Sequence, residues 1–146
     1  MKQDKFLLEL EKMIDKVKTG LLATVDTDGR PRLRWMSPAI LKERRGALYA
    51  ITSNNFAKLE QLKKNPQVEW MIQSRGLDKV MYVDGRVNVV ENSSMINEVL
   101  EVVNPQLRVF WNVNNDQSSL VVLETVMETG ALFLPMKGHR EEIQFE

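Results

Sequence analysis

Residues 79–91, KVMYVDGRVNVVE, constrain the fold more than any other stretch, because side chains of opposite polarity alternate along them. In an extended chain, one face carries Met81, Val83, Gly85, Val87 and Val89. This period of two predicts a strand with one buried face. The glycine in the middle of the apolar face predicts a β-bulge or a sharp bend, as at the corner of a barrel.

The rest of the chain offers several shorter strands and few helices. We predict helices over residues 4–18 and 56–64 and from Ser94 to the Asn104-Pro105 stop. Further strands are predicted over residues 20–26, 30–37, 39–42, 47–52, 67–73, 119–128 and 130–135, with turns at TDG (27–29) and around ERRG (43–46). Residues 106–117 are ambiguous, and the polar tail MKGHREEIQFE is predicted to be loose or docked on a partner chain.

This order of elements indicates one class of fold. Short links between strands favour antiparallel pairing, and the scattered helices argue against a doubly wound parallel sheet. We therefore expect a single mainly β (α+β) domain over residues 1–146. Its predicted architecture is an antiparallel β-barrel, closed or partly split, with peripheral helices.

Composition excludes several classes of function. The chain has 20 basic and 20 acidic residues and no cysteine. Zero net charge gives no global attraction to nucleic acid or to an anionic membrane, and no apolar run is long enough to cross a bilayer. The absence of cysteine excludes disulfides and thiolate chemistry and is compatible with a reducing cytoplasm. We expect a cytoplasmic protein with neither a nucleic-acid nor a membrane partner.

Standard catalytic motifs are missing from the sequence. The only histidine, His139, lies in the polar tail, so neither a catalytic triad nor a histidine metal site is expected. DTDG (26–29) has the composition of a calcium loop but lacks its remaining oxygen ligands, and a hairpin turn is favoured. The sequence therefore predicts no metal site and leaves the catalytic residues open.

The predicted helix start in TSNNFAKLEQLKKNP (52–66) is unusual, because its first turn holds no acid and its first charge is Lys58. Helix N-termini favour acids, and they also bind phosphate through their free N–H groups. Thr52, Ser53 and Asn54 add polar side chains to this junction. Simple helix capping with a solvated Lys58 explains the same residues.

A second candidate is the arginine-rich segment RPRLRWMSP (30–38). In a strand, Arg32 and Arg34 share one face with Met36, and the residues between them share the other. The arginine face could meet phosphate and the aromatic face could line a barrel or a dimer seam. A solvated edge strand is the alternative. The aromatic residues, which either surround a planar ligand or belong to the core, are Trp35, Tyr49, Trp70, Tyr82 and Trp111.

Three stretches together resemble a known family. GLLATVDTDGRPRLRWMSP, LYAITSNNFAKLEQLKKNPQVEW and VMYVDGRVNVVE follow the pattern of the FMN-binding split-barrel proteins, which include pyridoxamine 5'-phosphate oxidase and a general stress protein branch. The resemblance implies a split barrel that forms a homodimer and binds FMN in the dimer seam. It implies phosphate contacts from Arg34 and Lys58. It also implies ring or phosphate contacts from the segments that contain Trp35, Met36, Ser37, Ile51 and Thr52. Ser53 and Asn54 are further candidate phosphate contacts from the polar helix start.

The chain departs from the oxidase pattern at three positions. Phe56 and Ala57 stand where the oxidase has serine and arginine, and Val80 stands where it has glutamine. These departures argue against pyridoxamine 5'-phosphate oxidase activity itself. The expected function is FMN binding with flavin-dependent redox activity. The alternatives are a non-catalytic dimeric stress or binding protein that has lost its flavin, and a binder of another phosphorylated planar cofactor, such as a deazaflavin or a haem-related ligand.

Overall fold

The computed structural model describes residues 1–53, 58–103 and 119–146, and of Lys58 only the backbone. Helix α1 spans Gln3–Val17, and its apolar side chains recur at helical spacing and are buried. It ends at Lys18, which has a φ of 68° and donates its backbone N–H to Ile14. The predicted helix over residues 4–18 is confirmed to within one residue at each end.

Within the described ranges, eight strands form one antiparallel sheet. They are β1 (Gly20–Val25), β2 (Pro31–Met36), β3 (Ala39–Leu41), β4 (Arg44–Ser53), β5 (Gln67–Gln73), β6 (Val80–Val90), β7 (Leu120–Leu134) and β8 (His139–Gln144). The spatial order is β2-β1-β5-β6-β7-β4-β3, and β8 also pairs with β7. The sheet does not close, which agrees with the expected split barrel. A 3₁₀ turn, Pro135–Lys137, joins β7 to β8.

In the part of the chain that the structure describes, two other helices flank the sheet. Helix α2 (Lys58–Lys64) contacts β1 and β6, and helix α3 (Ser93–Val102) contacts β3, β4 and β7. Asn92 caps α3, because its side-chain oxygen accepts from the backbone N–H groups of Ser94 and Met95. No helix in the described ranges is long and apolar enough to cross a membrane.

The strand alternation separates two hydrophobic clusters. The first cluster lies between the sheet and helices α1 and α2 and includes Leu22, Leu48 and Trp70. The second lies between α3 and the β3–β4–β7 region and includes Tyr49 and Ile51. Neighbouring residues of β4 therefore face different clusters, so each side chain of this strand has a defined side.

Gly85 lies at the predicted irregularity of the long strand. The β6–β7 register shifts between Asp84 and Gly85, so the predicted β-bulge is confirmed. A Cβ atom at Gly85 would collide with the carbonyl oxygen of Val126 and approach the Thr125 methyl group at 2.9 Å. The close approach of the two backbones at the bulge therefore requires glycine.

Three predictions about the sheet are wrong in detail. The strands predicted over 119–128 and 130–135 are one strand, because Gly130 continues the ladder opposite Ile143. The tail contains β8, which pairs with β7 of its own chain and is therefore not loose. The turn predicted around residues 43–46 is shorter, since Leu41 already pairs with Arg44. The ambiguous segment 106–117 lies outside the described residues.

Candidate functional site

The β1–β2 turn is organised by the carboxylate of Asp26. One carboxylate oxygen accepts the backbone N–H groups of Asp28 at 3.0 Å and Arg30 at 2.9 Å, and the other accepts Nε of Arg32 at 3.0 Å. The Arg30 N–H bond and the nearby Arg32 guanidinium hold the pKa of Asp26 below its usual value. Residues 26–29 are thus the predicted hairpin turn, completed by Gly29 with a φ of 83°.

Arg34 lies on the inward-facing side of β2, opposite Leu22 of the first cluster. Its Nη2 donates to the Thr24 hydroxyl at 2.8 Å, and Thr24 itself is buried. Among the described residues Arg34 has no other hydrogen-bond partner and no carboxylate partner. Burial lowers the pKa of the Arg34 guanidinium, and the positive charge of Arg32 lowers it further. The Arg34 charge is therefore partly desolvated and uncompensated.

The next residues of β2 point alternately to the two faces. Met36 shares the inward face with Arg34 and packs against the first cluster, whereas Trp35 points to the outer face and is 70% exposed. Ser37 follows the strand and is half-buried. Of the other predicted site residues on β2, the structure therefore places Met36 on the same face as Arg34, which Arg32 also shares.

The end of β4 holds the second group of predicted site residues. Thr52 lies on the same side of β4 as Leu48 of the first cluster, whereas Ile51 packs into the second cluster. Thr52 and Ser53 are both buried, and each already interacts within the chain. Arg34 and Thr52 thus lie on strand faces that turn toward the first cluster.

The helix that follows β4 is described from Lys58 onward, and its first turn contains Glu60. The predicted acid-free first turn begins at residue 56, outside the described residues, so it stays a prediction. Asn54, Phe56, Ala57 and the Lys58 side chain lie outside the described residues. Helix α2 does contact β1, the strand to which Arg34 is hydrogen-bonded.

Two of the predicted aromatic residues belong to the core. Trp70 is buried and donates Nε1–H to the Thr125 hydroxyl at 3.0 Å. Tyr49 donates its hydroxyl to the Glu124 carboxylate at 2.9 Å, and burial together with this bond raises the pKa of Tyr49 to about 12. Trp111 lies outside the described residues.

The remaining residues singled out by the sequence lie elsewhere in the sheet. The Tyr82 ring is covered by the Arg140 guanidinium at 5.3 Å. Val80 is buried at the start of β6, where it pairs with Gln73 and Phe133. His139 lies on β8 beside Glu141, with 3.0 Å between Nε2 and the carboxylate. None of these three residues lies on β2 or at the end of β4.

Two features escaped the sequence prediction because each depends on strand register. Thr24 becomes the partner of Arg34 only through the β1–β2 register, which pairs Leu22 with Arg34. Glu69 and Asp84 pair directly across β5 and β6, where Asp84 also accepts the Thr129 hydroxyl at 2.9 Å. The nearest sequence indication was the predicted hairpin of residues 67–73 and 79–91.

Comparison with known proteins finds a family match for most of the chain. A family described as "Pyridoxamine 5'-phosphate oxidase like" matches residues 6–138. No curated protein matches the sequence. One similar solved structure is a protein related to general stress protein 26 of B. subtilis (pyridoxinephosphate oxidase family) from Clostridium acetobutylicum. It is 14% identical, with 99% of this chain and 97% of that chain covered and a TM-score of 0.78.

Two other similar structures are described as ligand-binding proteins. A pyridoxamine 5'-phosphate oxidase-related, FMN binding protein from Nostoc punctiforme is 12% identical over 98% of this chain and 94% of that chain, with a TM-score of 0.67. A heme binding protein from Mycobacterium smegmatis is 17% identical over 95% of this chain and 57% of that chain, with a TM-score of 0.72. At these identities the likeness shows the fold alone.

Proposed function

Because the chain belongs to the pyridoxamine 5'-phosphate oxidase-like family, we propose that it binds FMN and that Arg34 contacts the phosphate. The observation that carries this proposal is the half-buried Arg34 guanidinium, whose one partner among the described residues is a neutral hydroxyl. A partly desolvated charge without a counter-ion is unfavourable. A phosphate would supply the missing negative charge and acceptors for the remaining guanidinium N–H groups.

The sheet edge supports a position for the flavin ring. Among the described strands β2 pairs with β1 alone, so one backbone edge of β2 has no strand partner there. We propose that the ring lies along the backbone of Trp35, Met36 and Ser37. The site as proposed further includes Ile51, Thr52 and Lys58, which the resemblance implies, and Ser53 and Asn54, which belong to the polar junction in the sequence.

A bound flavin would supply hydride-transfer chemistry itself. The chain would then need to hold the phosphate, pack against the ring and leave access for a small-molecule substrate. Such a role requires neither cysteine, which the sequence lacks, nor catalysis by the single histidine. We therefore propose a flavin-dependent oxidoreductase, with a non-catalytic stress or binding protein as the second candidate, because one similar structure is related to general stress protein 26.

The outer face of β2 supports a homodimer, the other part of the proposal. Leu33 is 70% exposed on this face, although it is a large apolar side chain. Its position on an edge strand suits contact with a second copy in a two-fold symmetric dimer. A flavin along the β2 backbone would then lie near this interface.

Titration with FMN and with riboflavin tests the phosphate anchor. FMN uptake is followed by the flavin band at about 450 nm, a property of the cofactor. Arg34→Ala should weaken FMN binding by about 1.5–3 kcal/mol, roughly ten- to a hundredfold. Riboflavin, which has the ring without the phosphate, should bind weakly and respond little to Arg34→Ala. Arg45→Ala is the matched control, because Arg45 pairs with Glu11 on α1 and lies outside β2.

Two results would contradict FMN binding as proposed. A purified protein that is colourless and takes up no added FMN would contradict flavin binding. Equal binding of FMN and riboflavin, or an unchanged FMN affinity in Arg34→Ala, would contradict the proposed contact between Arg34 and the phosphate. A parallel titration with haem identifies the alternative of another planar cofactor, which the similarity to a heme binding protein makes worth testing.

A further inference from the structure

We propose that the cleft beside Trp35, on the outer face of the sheet, binds a small planar anion such as an aromatic carboxylate. The cleft has a volume of about 210 Å³. It lies across β2, β1 and the end of β5, on the face of β2 opposite to the Arg34 guanidinium. It is therefore separate from the phosphate anchor proposed above.

The strand register brings the apolar part of this cleft together. Leu21 on β1 pairs with Trp35 on one side and with Met71 on the other, so the three side chains form a row across the outer face. All three residues line the cleft. Trp35 is 70% exposed, and its ring stacks on no other aromatic ring in the described chain. It offers a free surface on which a planar ligand can stack.

Three polar side chains of the cleft are hydrogen-bond donors without partners in the described part of the chain. Arg75, Gln73 and the Trp35 indole N–H all belong to the lining, and among the described residues none of their side chains makes a hydrogen bond or ion pair. Arg75 is the one charged residue among the described residues of the lining. This combination favours a ligand with negative charge and acceptor atoms.

The base of Arg75 is held in a defined turn. The Ser74 hydroxyl donates to the Asp78 carboxylate at 2.6 Å and accepts the Lys79 backbone N–H at 3.1 Å. The Ser74 backbone N–H donates to the Lys79 carbonyl at 2.9 Å, which closes the β5–β6 turn. The backbone of Arg75 is therefore fixed in a closed turn next to the cleft. Only the Arg75 side chain loses conformational freedom when a ligand binds.

The size of the cleft limits the ligand to roughly one ring. Its volume is below the range of about 300–1,000 Å³ that is usual for sites of drug-sized ligands. An aromatic ring would stack on Trp35 above Leu21 and Met71, with its carboxylate toward Arg75. If the flavin lies along the same strand, as proposed above, this ligand is a candidate substrate, and that step alone depends on the proposed function.

Benzoate is the probe, and the ¹⁵N resonances of the tryptophan indoles are the measurement, with the full chain and without flavin. The Trp35 resonance is identified by its loss in Trp35→Phe. Benzoate should shift the Trp35 resonance and leave that of the buried Trp70 in place. Benzamide, the neutral analogue, should bind about 1.5- to fivefold more weakly. Arg75→Gln should reduce benzoate binding to the level of benzamide, whereas Arg30→Gln, at an exposed arginine outside the cleft, should not.

A saturation-transfer experiment on benzoate provides the second measurement, and Trp35→Ala should abolish the transfer. The proposal is overturned if benzoate leaves the Trp35 resonance unmoved, if benzoate and benzamide bind equally, or if Arg75→Gln has no effect. FMN titrations of the same samples separate the two proposals. Benzoate binding without FMN uptake would contradict the flavin function but support the anion site. FMN uptake without benzoate binding would contradict the anion site but support the flavin function.

Discussion

Glu69 on β5 and Asp84 on β6 are direct partners across the sheet, so two carboxyl groups share one position on its outer face. Partial burial and the hydrogen bond with Asp84 raise the pKa of Glu69 from 4.5 to about 7, and the Arg140 charge opposes this shift. Adjacent carboxyl groups are stable when one of them keeps its proton. The native chain therefore binds a proton here that the unfolded chain releases at lower pH.

The free energy of unfolding should consequently fall as pH rises through this range. Between about pH 4.5 and 7 the native state holds the Glu69 proton more tightly than the unfolded state, and linkage then makes stability decrease with pH. Glu69→Gln should reduce this decrease and should be more stable than the natural chain at pH 8. Denaturant unfolding at pH 5 and pH 8 measures both effects. Glu98→Gln, at an exposed position on α3, is the control. The prediction would be contradicted if the free energy of unfolding of Glu69→Gln and of the natural chain changed equally with pH.

The buried bond between Trp70 and Thr125 gives a second prediction. Thr125→Val keeps the side-chain shape but leaves the Trp70 indole N–H buried without an acceptor. We expect a loss of about 1–3 kcal/mol in the free energy of unfolding. In a Trp70→Phe background the same substitution should cost less, because no donor is left unsatisfied. Equal losses in the two backgrounds would show that the hydrogen bond is not the cause.

The bulge at Gly85 gives a third prediction. Gly85→Ala places a methyl group against the Val126 carbonyl, a backbone atom that cannot move without disturbing the β6–β7 ladder. We expect destabilisation of at least about 1–3 kcal/mol, measured by chemical denaturation. Gly46→Ala is the matched control on β4, since a Cβ there meets no atom within 4 Å. Similar stability of the two variants would contradict the close approach.

The alternation of apolar and polar side chains, together with the turn residues, predicted most of the fold. Both signals are local, because strands and turns depend on a few neighbouring residues. The strand at residues 67–73 has the predicted bounds, and Gly85 marked the bulge of β6 correctly. Gly130 led to a wrong prediction. From the sequence alone, a glycine inside a strand cannot be distinguished from a glycine in a turn, because the residue that packs against it is not known. Here a Cβ at Gly130 would lie 2.7 Å from Cζ of Phe6, so the helix packs where a side chain would be. The strand β8 escaped prediction because only Ile143 is buried in it.

The candidate site was less predictable than the fold. The sequence correctly indicated that Arg32 and Arg34 share a face, but their different partners depend on the hairpin register. Arg32 is neutralised by Asp26, whereas Arg34 reaches only a hydroxyl group. This difference makes Arg34 the better candidate for the proposed phosphate contact, and it could not be read from the spacing alone. The proposed contacts of Asn54 and Lys58 stay predictions.

The homodimer is the last prediction, and Leu33 tests it without touching the cleft beside Trp35. Leu33 is 70% exposed on the outer face of β2 and does not line that cleft. In a two-fold dimer each interface residue occurs twice, so Leu33→Ser should remove two apolar contacts, each worth about 1.5 kcal/mol or more. Sedimentation at micromolar concentration should show a dimer for the natural chain and a shift toward monomer for Leu33→Ser. Leu8→Ser, at an exposed leucine of α1, should leave the dimer intact. A natural chain that sediments as a stable monomer would contradict the dimer and would remove any flavin contact contributed by a partner.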